Sequence, residues 1–226
     1  MTAPTAPQFY DLSLPIGPGL TTWPGDPPPR LTRICDRAAG ASCTVTRLEL
    51  GAHCGTHVDA PCHFVDGPDI AALDLRRLIG PATLIDVGQA TVITADLLAA
   101  RVPCGCRRLL IRSRNARLWA DPGHAFVDDF TALDPEAANW VVDAGIDVLG
   151  VDYLSVASPA QGTIVHQRLL AAGLLLLEGL DLRAPPCGTY TLIALPLHLP
   201  GCDGSPVRAV LVEEGMIPAD HEEHPG

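Results

Sequence analysis

The chain has 226 residues, of which 47% are hydrophobic and 18% are charged, so it is long enough to bury a sizeable apolar core. Its 15 basic and 26 acidic side chains give a net charge of -11, which disfavours nucleic acids and anionic membranes as partners. We therefore expect a small molecule or a cation as the ligand.

Two features bear on the location of the protein. The segment MTAPTAPQFYDLSLPIG has neither a basic start nor a continuous apolar run, so it does not resemble a secretory signal. The longest apolar stretch, residues 169–177, is about half as long as a membrane span requires. We expect a cytoplasmic protein with no membrane partner, in which the eight cysteines are reduced.

In chain order, the first element is a proline-rich arm at residues 1–30, which carries Trp23 and is predicted to be irregular. Alternating polar and apolar residues at 42–53 then predict a half-buried strand. Residues 218–226 are predicted to be disordered. Between them we predict strands at 82–88, 107–113, 147–152, 174–180, 190–199 and 207–215, and helices at 94–102, 133–145 and 164–173.

The order of these elements predicts the fold class. Strands and helices mix without strict β-α-β alternation, which argues against a doubly wound parallel sheet. We predict one α/β domain over residues 1–226, with a mixed, partly barrel-like β-sheet flanked by helices.

Four residues that commonly bind metals, His53, His57, Asp59 and His63, lie within eleven positions. A helix is disfavoured there because glycine, β-branched residues and proline separate them. On an extended path His57 and Asp59 project to one face, and a turn at Gly55 brings His53 towards them. Two imidazoles and a carboxylate then converge.

Such a donor set suits a divalent transition metal, and zinc and manganese both accept these ligands. Downstream, His166 lies near the start of a predicted helix and Glu178 ends an apolar run, where an ionised carboxylate is costly unless it is paired or bound to a metal. If Asp59 or Glu178 bridges, a two-metal site becomes plausible. Taken singly, Glu178 is more often a surface carboxylate at a strand end, and Trp23 is more often a packing residue.

The segment HCGTHVDAPCHF resembles the HxGTHxDxPxHF signature of the metal-dependent cyclase-like amidohydrolases. The combination of WPGD, LLEGL and LIALPL with SPVRAVL is similar to one branch of that superfamily, the bacterial kynurenine formamidases. The likeness covers nearly the whole chain. It implies a cyclase-like fold and hydrolysis of N-formyl-L-kynurenine, an aryl formamide, to L-kynurenine and formate.

The resemblance also implies roles for individual residues. Asp59 and Glu178 each contact both of two zinc ions, and His63 is the proton donor and acceptor. The resemblance further implies that Trp23 contacts the substrate and that the protein is a homodimer. The metal ligands implied in this way are His53, His57, Asp59, His166 and Glu178.

One departure from the branch leaves the substrate open. Where members often carry a proline-serine-valine-aspartate run, this chain has GVDYLSVASP, in which Tyr153 and Leu154 add bulk and Ala157 replaces a common aspartate. One alternative is a related hydrolase that acts on another aryl or cyclic amide such as isatin. A second alternative is a non-catalytic domain in which a metal only stabilises the fold.

Overall fold

The structure, a computed structural model, describes residues 8–213. Residues 1–7 of the proline-rich arm and the tail at 218–226 lie outside the described residues. The strands are β1 (Phe9–Asp11), β2 (Arg30–Cys35), β3 (Val45–Glu49), β4 (His57–Asp59), β5 (Ile79–Asp86), β6 (Val92–Ile93), β7 (Arg108–Arg112), β8 (Ala132–Leu133), β9 (Val148–Val151), β10 (Leu175–Glu178), β11 (Gly188–Pro196) and β12 (Gly204–Val212). The α-helices are α1 (Ala95–Ala99), α2 (Pro135–Asp143) and α3 (Gly162–Ala171).

A closed barrel is built from the strands in the order β12, β11, β5, β7, β9, β10 and β4, with β4 pairing back onto β12. Strands β5, β7, β9 and β10 run parallel to one another, whereas the remaining barrel pairs are antiparallel. The predicted α/β domain with a mixed, barrel-like sheet is therefore confirmed. The barrel is fully closed because β12 pairs with β11 along one edge and with β4 along the other.

Side chains on alternate positions of the strands form two cores, one on each face of the sheet. The barrel interior is filled by residues from every barrel strand, such as Val58, Leu84, Leu110, Val148, Leu177, Leu192 and Leu211. The outer face of β7, β9 and β10 packs instead against the helices, through residues such as Leu109, Leu149, Leu176, Val141 and Val165. Residues that alternate with the interior set on β4 and β10 therefore face the helix layer.

Two helices begin where the sequence predicts them, whereas α3 begins at Gly162, two residues before its predicted start. Thr94 accepts a hydrogen bond from the Leu97 amide and Asp134 accepts one from the Ala137 amide, so both act as N-caps. Gly173, at φ +82°, follows the end of α3. None of the helices within residues 8–213 has the length and apolar character that a bilayer span demands.

Two segments differ from the sequence-based expectation. The arm is not wholly irregular, because β1 pairs with β12 and buries the neighbouring Leu12 and Leu14. The strand predicted at 42–53 exists as β3, but it is exposed along its whole length and pairs with β2 alone. Its alternation therefore reflects the two faces of an exposed hairpin and not a half-buried position in the main sheet.

A close contact between two backbones holds β10 against the turn that precedes β4. Gly179 has φ +66°, and a Cβ atom there would lie 2.4 Å from the carbonyl oxygen of Gly55. The Thr56 hydroxyl donates a hydrogen bond of 2.6 Å to the Gly179 carbonyl and accepts one of 2.9 Å from the Leu14 amide. Only glycine permits this approach at position 179.

We expect Gly179→Ala to lower the free energy of unfolding by about 3 kcal/mol. About 1–2 kcal/mol of this loss comes from the left-handed backbone conformation, and about another 1–3 kcal/mol comes from forcing the two segments apart. Urea denaturation monitored by circular dichroism measures the change.

Gly173→Ala is the matched control, because Gly173 also has a positive φ but a Cβ atom there meets nothing within 4 Å. This variant should lose only about 1–2 kcal/mol. Equal losses in the two variants would show that the contact with Gly55 does not constrain position 179.

Candidate metal centre

Three chain segments bring the predicted metal ligands to one place. His57 and Asp59 project from the outer face of β4, and Glu178 lies directly opposite His57 in the antiparallel pairing of β10 with β4. His166 reaches the same point from α3, which packs over β10. Gly55, at φ +67°, makes the turn that returns His53 to the cluster, as the sequence predicts.

The side-chain distances show how closely these groups converge. Nε2 of His57 lies 3.4 Å from Oδ1 of Asp59 and 3.5 Å from Oε2 of Glu178. Nε2 of His166 lies 3.3 Å from Oε1 of Glu178 and 4.0 Å from Oδ2 of Asp59. Nδ1 of His53 lies 2.8 Å from Oδ1 of Asp59. These atoms form two overlapping groups that share Asp59 and could each hold a metal ion.

Backbone carbonyls orient two of the imidazoles. Nδ1 of His57 donates to the carbonyl of Gly55 at 2.9 Å, and Nδ1 of His166 donates to the carbonyl of Gly162 at 2.7 Å. Because Nδ1 is engaged by a carbonyl in both rings, Nε2 is the nitrogen directed at the carboxylates. Metal-binding histidines are commonly held in this way.

Two buried atoms test whether the cluster suits a metal. Nε2 of His57 and Oδ2 of Asp59 are both buried and have no hydrogen-bond partner. Leaving such groups unpaired costs free energy, which a cation between them would recover. Imidazole nitrogens and carboxylate oxygens are suitable donors for zinc and for manganese. The donor set therefore fits a divalent metal.

The electrostatics of the metal-free cluster keep the carboxylates ionised. Burial alone lowers the pKa of His57, but the neighbouring carboxylates of Asp59 and Glu178 outweigh it and raise this pKa to about 10. Burial opposes the ionisation of Asp59, yet its neighbouring imidazoles hold its pKa well below the usual range. Glu178 also has a lowered pKa, because His166 and His57 outweigh both burial and the charge of Asp59. An arriving cation therefore replaces imidazole protons.

His63 lies beside this cluster on the short 3-10 helix Pro61–His63. Its ring stacks on that of His53, with centroids 4.0 Å apart and planes 28° apart. Burial lowers the pKa of His63, and the charge of His53 lowers it further. A largely neutral imidazole next to a metal site suits proton transfer near neutral pH.

Asp203, a carboxylate outside the sequence motifs, contacts both of these rings and forms with His53 and His63 a third group of side chains close enough together to hold a metal ion. Its Oδ2 lies 3.0 Å from Nε2 of His53 and 3.1 Å from Nδ1 of His63. Asp203 directly precedes β12, where Gly204 pairs with Asp59. Only this pairing brings it to the site, so no local motif indicates it.

A cavity of about 310 Å³ opens onto the cluster. Its wall includes Trp23, whose ring packs edge-to-face against Phe126 at 5.2 Å. From the segment that departs from the formamidase pattern, Leu154 and Ser155 line the cavity. Tyr153 lies behind the cavity wall, in a cluster with Trp119 and Phe130 against which Trp23 also packs, while Ala157 is fully buried. His53, His57, His63, His166 and Glu178 also line the cavity.

The backbone of the departing segment is held by buried polar contacts. The carboxylate of Asp152 accepts hydrogen bonds from the amide and the hydroxyl of Ser113, at 2.5 and 2.8 Å. Burial raises the pKa of Asp152 to about 6. Farther along, the Val156 amide donates to Oε1 of Glu178 at 2.7 Å. The segment thereby orients Glu178 as well as shaping the cavity.

Comparison with solved structures gives full-length matches. A potential metal-dependent hydrolase with cyclase activity matches with a TM-score of 0.80 at 30% identity, over 92% of this chain and 98% of that chain. A predicted metal-dependent hydrolase from Bacillus stearothermophilus also gives 0.80 at 30% identity, over 92% and 100%. Isatin hydrolase A from Ralstonia solanacearum gives 0.79 at 23% identity, over 92% of each chain, a likeness that shows the fold alone.

The sequence itself matches one family model. The model of the Cyclase family matches residues 10–158, which include the whole histidine-rich segment and Trp23. This match covers more than half of the chain, and the two structures at 30% identity agree with it. The chain belongs to the Cyclase family.

Proposed function

We propose that this protein is a metal-dependent hydrolase that cleaves the formamide bond of N-formyl-L-kynurenine, releasing L-kynurenine and formate. The observation that carries the hydrolase assignment is the buried convergence of His57, Asp59, His166 and Glu178 at the base of an open cavity. Solved relatives described as metal-dependent hydrolases support it. The formamidase motifs and the aromatic wall of the cavity support the choice of substrate.

We further propose that His53, His57, Asp59, His166 and Glu178 hold two zinc ions, with manganese as the alternative metal. A pair of divalent ions supplies the charge that acidifies water and polarises a carbonyl oxygen. This proposal also includes a cytoplasmic location and the homodimer that the family resemblance implies.

The protein's own residues account for the other requirements of the reaction. Hydrolysis adds water across the C–N bond, so the hydroxyl stays with the formyl carbon and a proton must reach the departing aryl amine. His63 stands at the cavity wall beside the cluster, where a neutral imidazole accepts a proton and then delivers it. Trp23 offers a flat apolar face for the aryl ring.

A second candidate substrate is a cyclic aryl amide such as isatin. Leu154, which belongs to the segment that departs from the formamidase pattern, lines the cavity and could favour a more compact substrate. A metal that only stabilises the fold is less well supported, because it would not require the cluster to lie open to a cavity beside a free imidazole.

Paired kinetic assays on metal-loaded protein separate the substrates. We expect kcat/KM for N-formyl-L-kynurenine to exceed that for isatin by at least about tenfold, equivalent to about 1.4 kcal/mol of transition-state stabilisation. Chelation should abolish the activity and added zinc should restore it. A preference for isatin would make a cyclic amide the proposed substrate. Failure to hydrolyse both compounds would overturn the enzymatic proposal.

Asp59→Asn should lose the metal, since this carboxylate belongs to both groups that contain the five proposed ligands, His53–His57–Asp59 and Asp59–His166–Glu178. Elemental analysis of the purified variant measures the loss, and circular dichroism checks that the variant is folded. The control is His198→Ala, because His198 is exposed and lies outside both groups. Wild-type metal content in folded Asp59→Asn would exclude Asp59 as a ligand.

His63→Ala should retain metal but lower kcat by about a hundredfold, the scale of general acid-base catalysis. Cys62→Ala is the control, because Cys62 lies on the same short helix while its thiol points to the Cys202 carbonyl at 3.8 Å. A metal-loaded His63→Ala enzyme with unchanged kcat would remove His63 from the mechanism.

A further inference from the structure

We propose that Asp203 is a positioning residue: its carboxylate fixes the ring of His63 so that Nε2 is the nitrogen that exchanges a proton with the substrate. The inference rests on the proposed function of His63. It follows from three features of the site, namely the shared hydrogen bonds of Asp203, the stacking of the two rings that it contacts, and the backbone that holds it in place.

The first feature is a single carboxylate oxygen between two imidazoles. Oδ2 of Asp203 lies 3.1 Å from Nδ1 of His63 and 3.0 Å from Nε2 of His53. An ionised carboxylate only accepts hydrogen bonds, so both nitrogens carry protons. His63 is therefore held as the Nδ1–H tautomer, and the lone pair of its Nε2 is free to accept a proton.

The same oxygen orients a proposed metal ligand. Nε2 of His53 donates to Asp203, and Nδ1 faces Asp59 at 2.8 Å, so a metal bound beside Asp59 would replace the proton on Nδ1. A carboxylate that binds the second nitrogen of a metal-binding histidine fixes both its tautomer and its ring orientation. Asp203 thus links the ring proposed to bind metal with the ring proposed to move the proton.

Stacking fixes the remaining freedom of His63. Its ring lies against His53 at 4.0 Å and contacts the edge of Phe64 at 4.5 Å. The chain comes very close to these rings, because a Cβ atom at Gly204 would lie 2.7 Å from Cε1 of His53. Rotation of His63 about its Cβ–Cγ bond would break the bond between its Nδ1 and Asp203.

The backbone around Asp203 does not depend on its carboxylate. The Ala60 amide donates to the Asp203 carbonyl at 2.9 Å, and the Ile70 amide donates to the Cys202 carbonyl at 2.9 Å. The Asp203 side chain is 48% exposed, so its removal leaves no buried gap. A substitution at Asp203 therefore tests orientation of the rings without unfolding the loop.

The test combines a measurement of the tautomer with kinetics. In metal-free protein labelled with 15N-histidine, two-dimensional NMR should assign His63 as the Nδ1–H tautomer, and Asp203→Asn should shift the ring towards Nε2–H. In metal-loaded protein, Asp203→Asn should lower kcat by about 10- to 100-fold with KM changed by less than about threefold. Asp203→Glu should restore part of the Nδ1–H tautomer of His63 and part of kcat.

Asp69→Asn is the matched control. Asp69 binds the Gly201 amide at 2.7 Å and so supports the same loop, but it does not belong to the groups of candidate ligands. It should leave the His63 tautomer and kcat at wild-type values. Equal effects of Asp69→Asn and Asp203→Asn would mean that only the loop matters, which would overturn the proposal.

The two proposals can fail separately. If wild-type protein hydrolyses neither formyl aryl amide nor isatin, the proposed function fails, while the NMR measurement still decides whether Asp203 sets the tautomer. If the wild type is active and Asp203→Asn leaves either the tautomer or kcat unchanged, the positioning role is wrong and the proposed function stands.

Discussion

The pairing of β4 with both β10 and β12 is the constraint on which the rest of the molecule depends. This strand of three residues closes the barrel, and two of its side chains, His57 and Asp59, are candidate metal ligands. Its middle residue, Val58, faces the barrel interior and is fully buried. Strand alternation thus divides one short segment between the core and the site, so that the strand pairing that closes the barrel also places two of the candidate metal ligands.

The carboxylates of the site are buried, and burial of an ionised group costs free energy. Asp59 and Glu178 are almost completely buried and stay ionised because imidazoles and backbone amides face them. Even so, Nε2 of His57 and Oδ2 of Asp59 remain without hydrogen bonds. Buried polar groups left unpaired in this way are costly to stability, and they persist most readily where a ligand uses them.

Local spacing was sufficient to predict much of the site. The period of two along a strand places His57 and Asp59 on one face, and Gly55 provides the turn for His53. His166 and Glu178 stood out by residue type and position, but their place in the ligand set came from the family resemblance, because no local pattern reports that α3 packs across β10. Their roles as ligands remain predictions, although the structure brings the side chains together.

Other features depend on long-range pairing and could not be predicted. Asp203 reaches His63 only because β12 pairs with β4 in a register that sets Gly204 opposite Asp59. The β2–β3 hairpin has the alternation typical of a half-buried strand. Both of its strands are nevertheless exposed, and local sequence carries no signal for this. In β1, three residues within a proline-rich arm are too few for a periodic signal.

The contact between Thr56 and Gly179 joins residues 123 positions apart, so the cluster does not exist in any short piece of the chain. An unfolded chain offers a divalent ion only scattered donors, whereas the folded chain offers a preformed set. Any ion bound by the cluster consequently shifts the folding equilibrium by mass action. Scarcity of the ion would then reduce the quantity of intact protein, through proteolysis of unfolded chains, in addition to leaving sites empty.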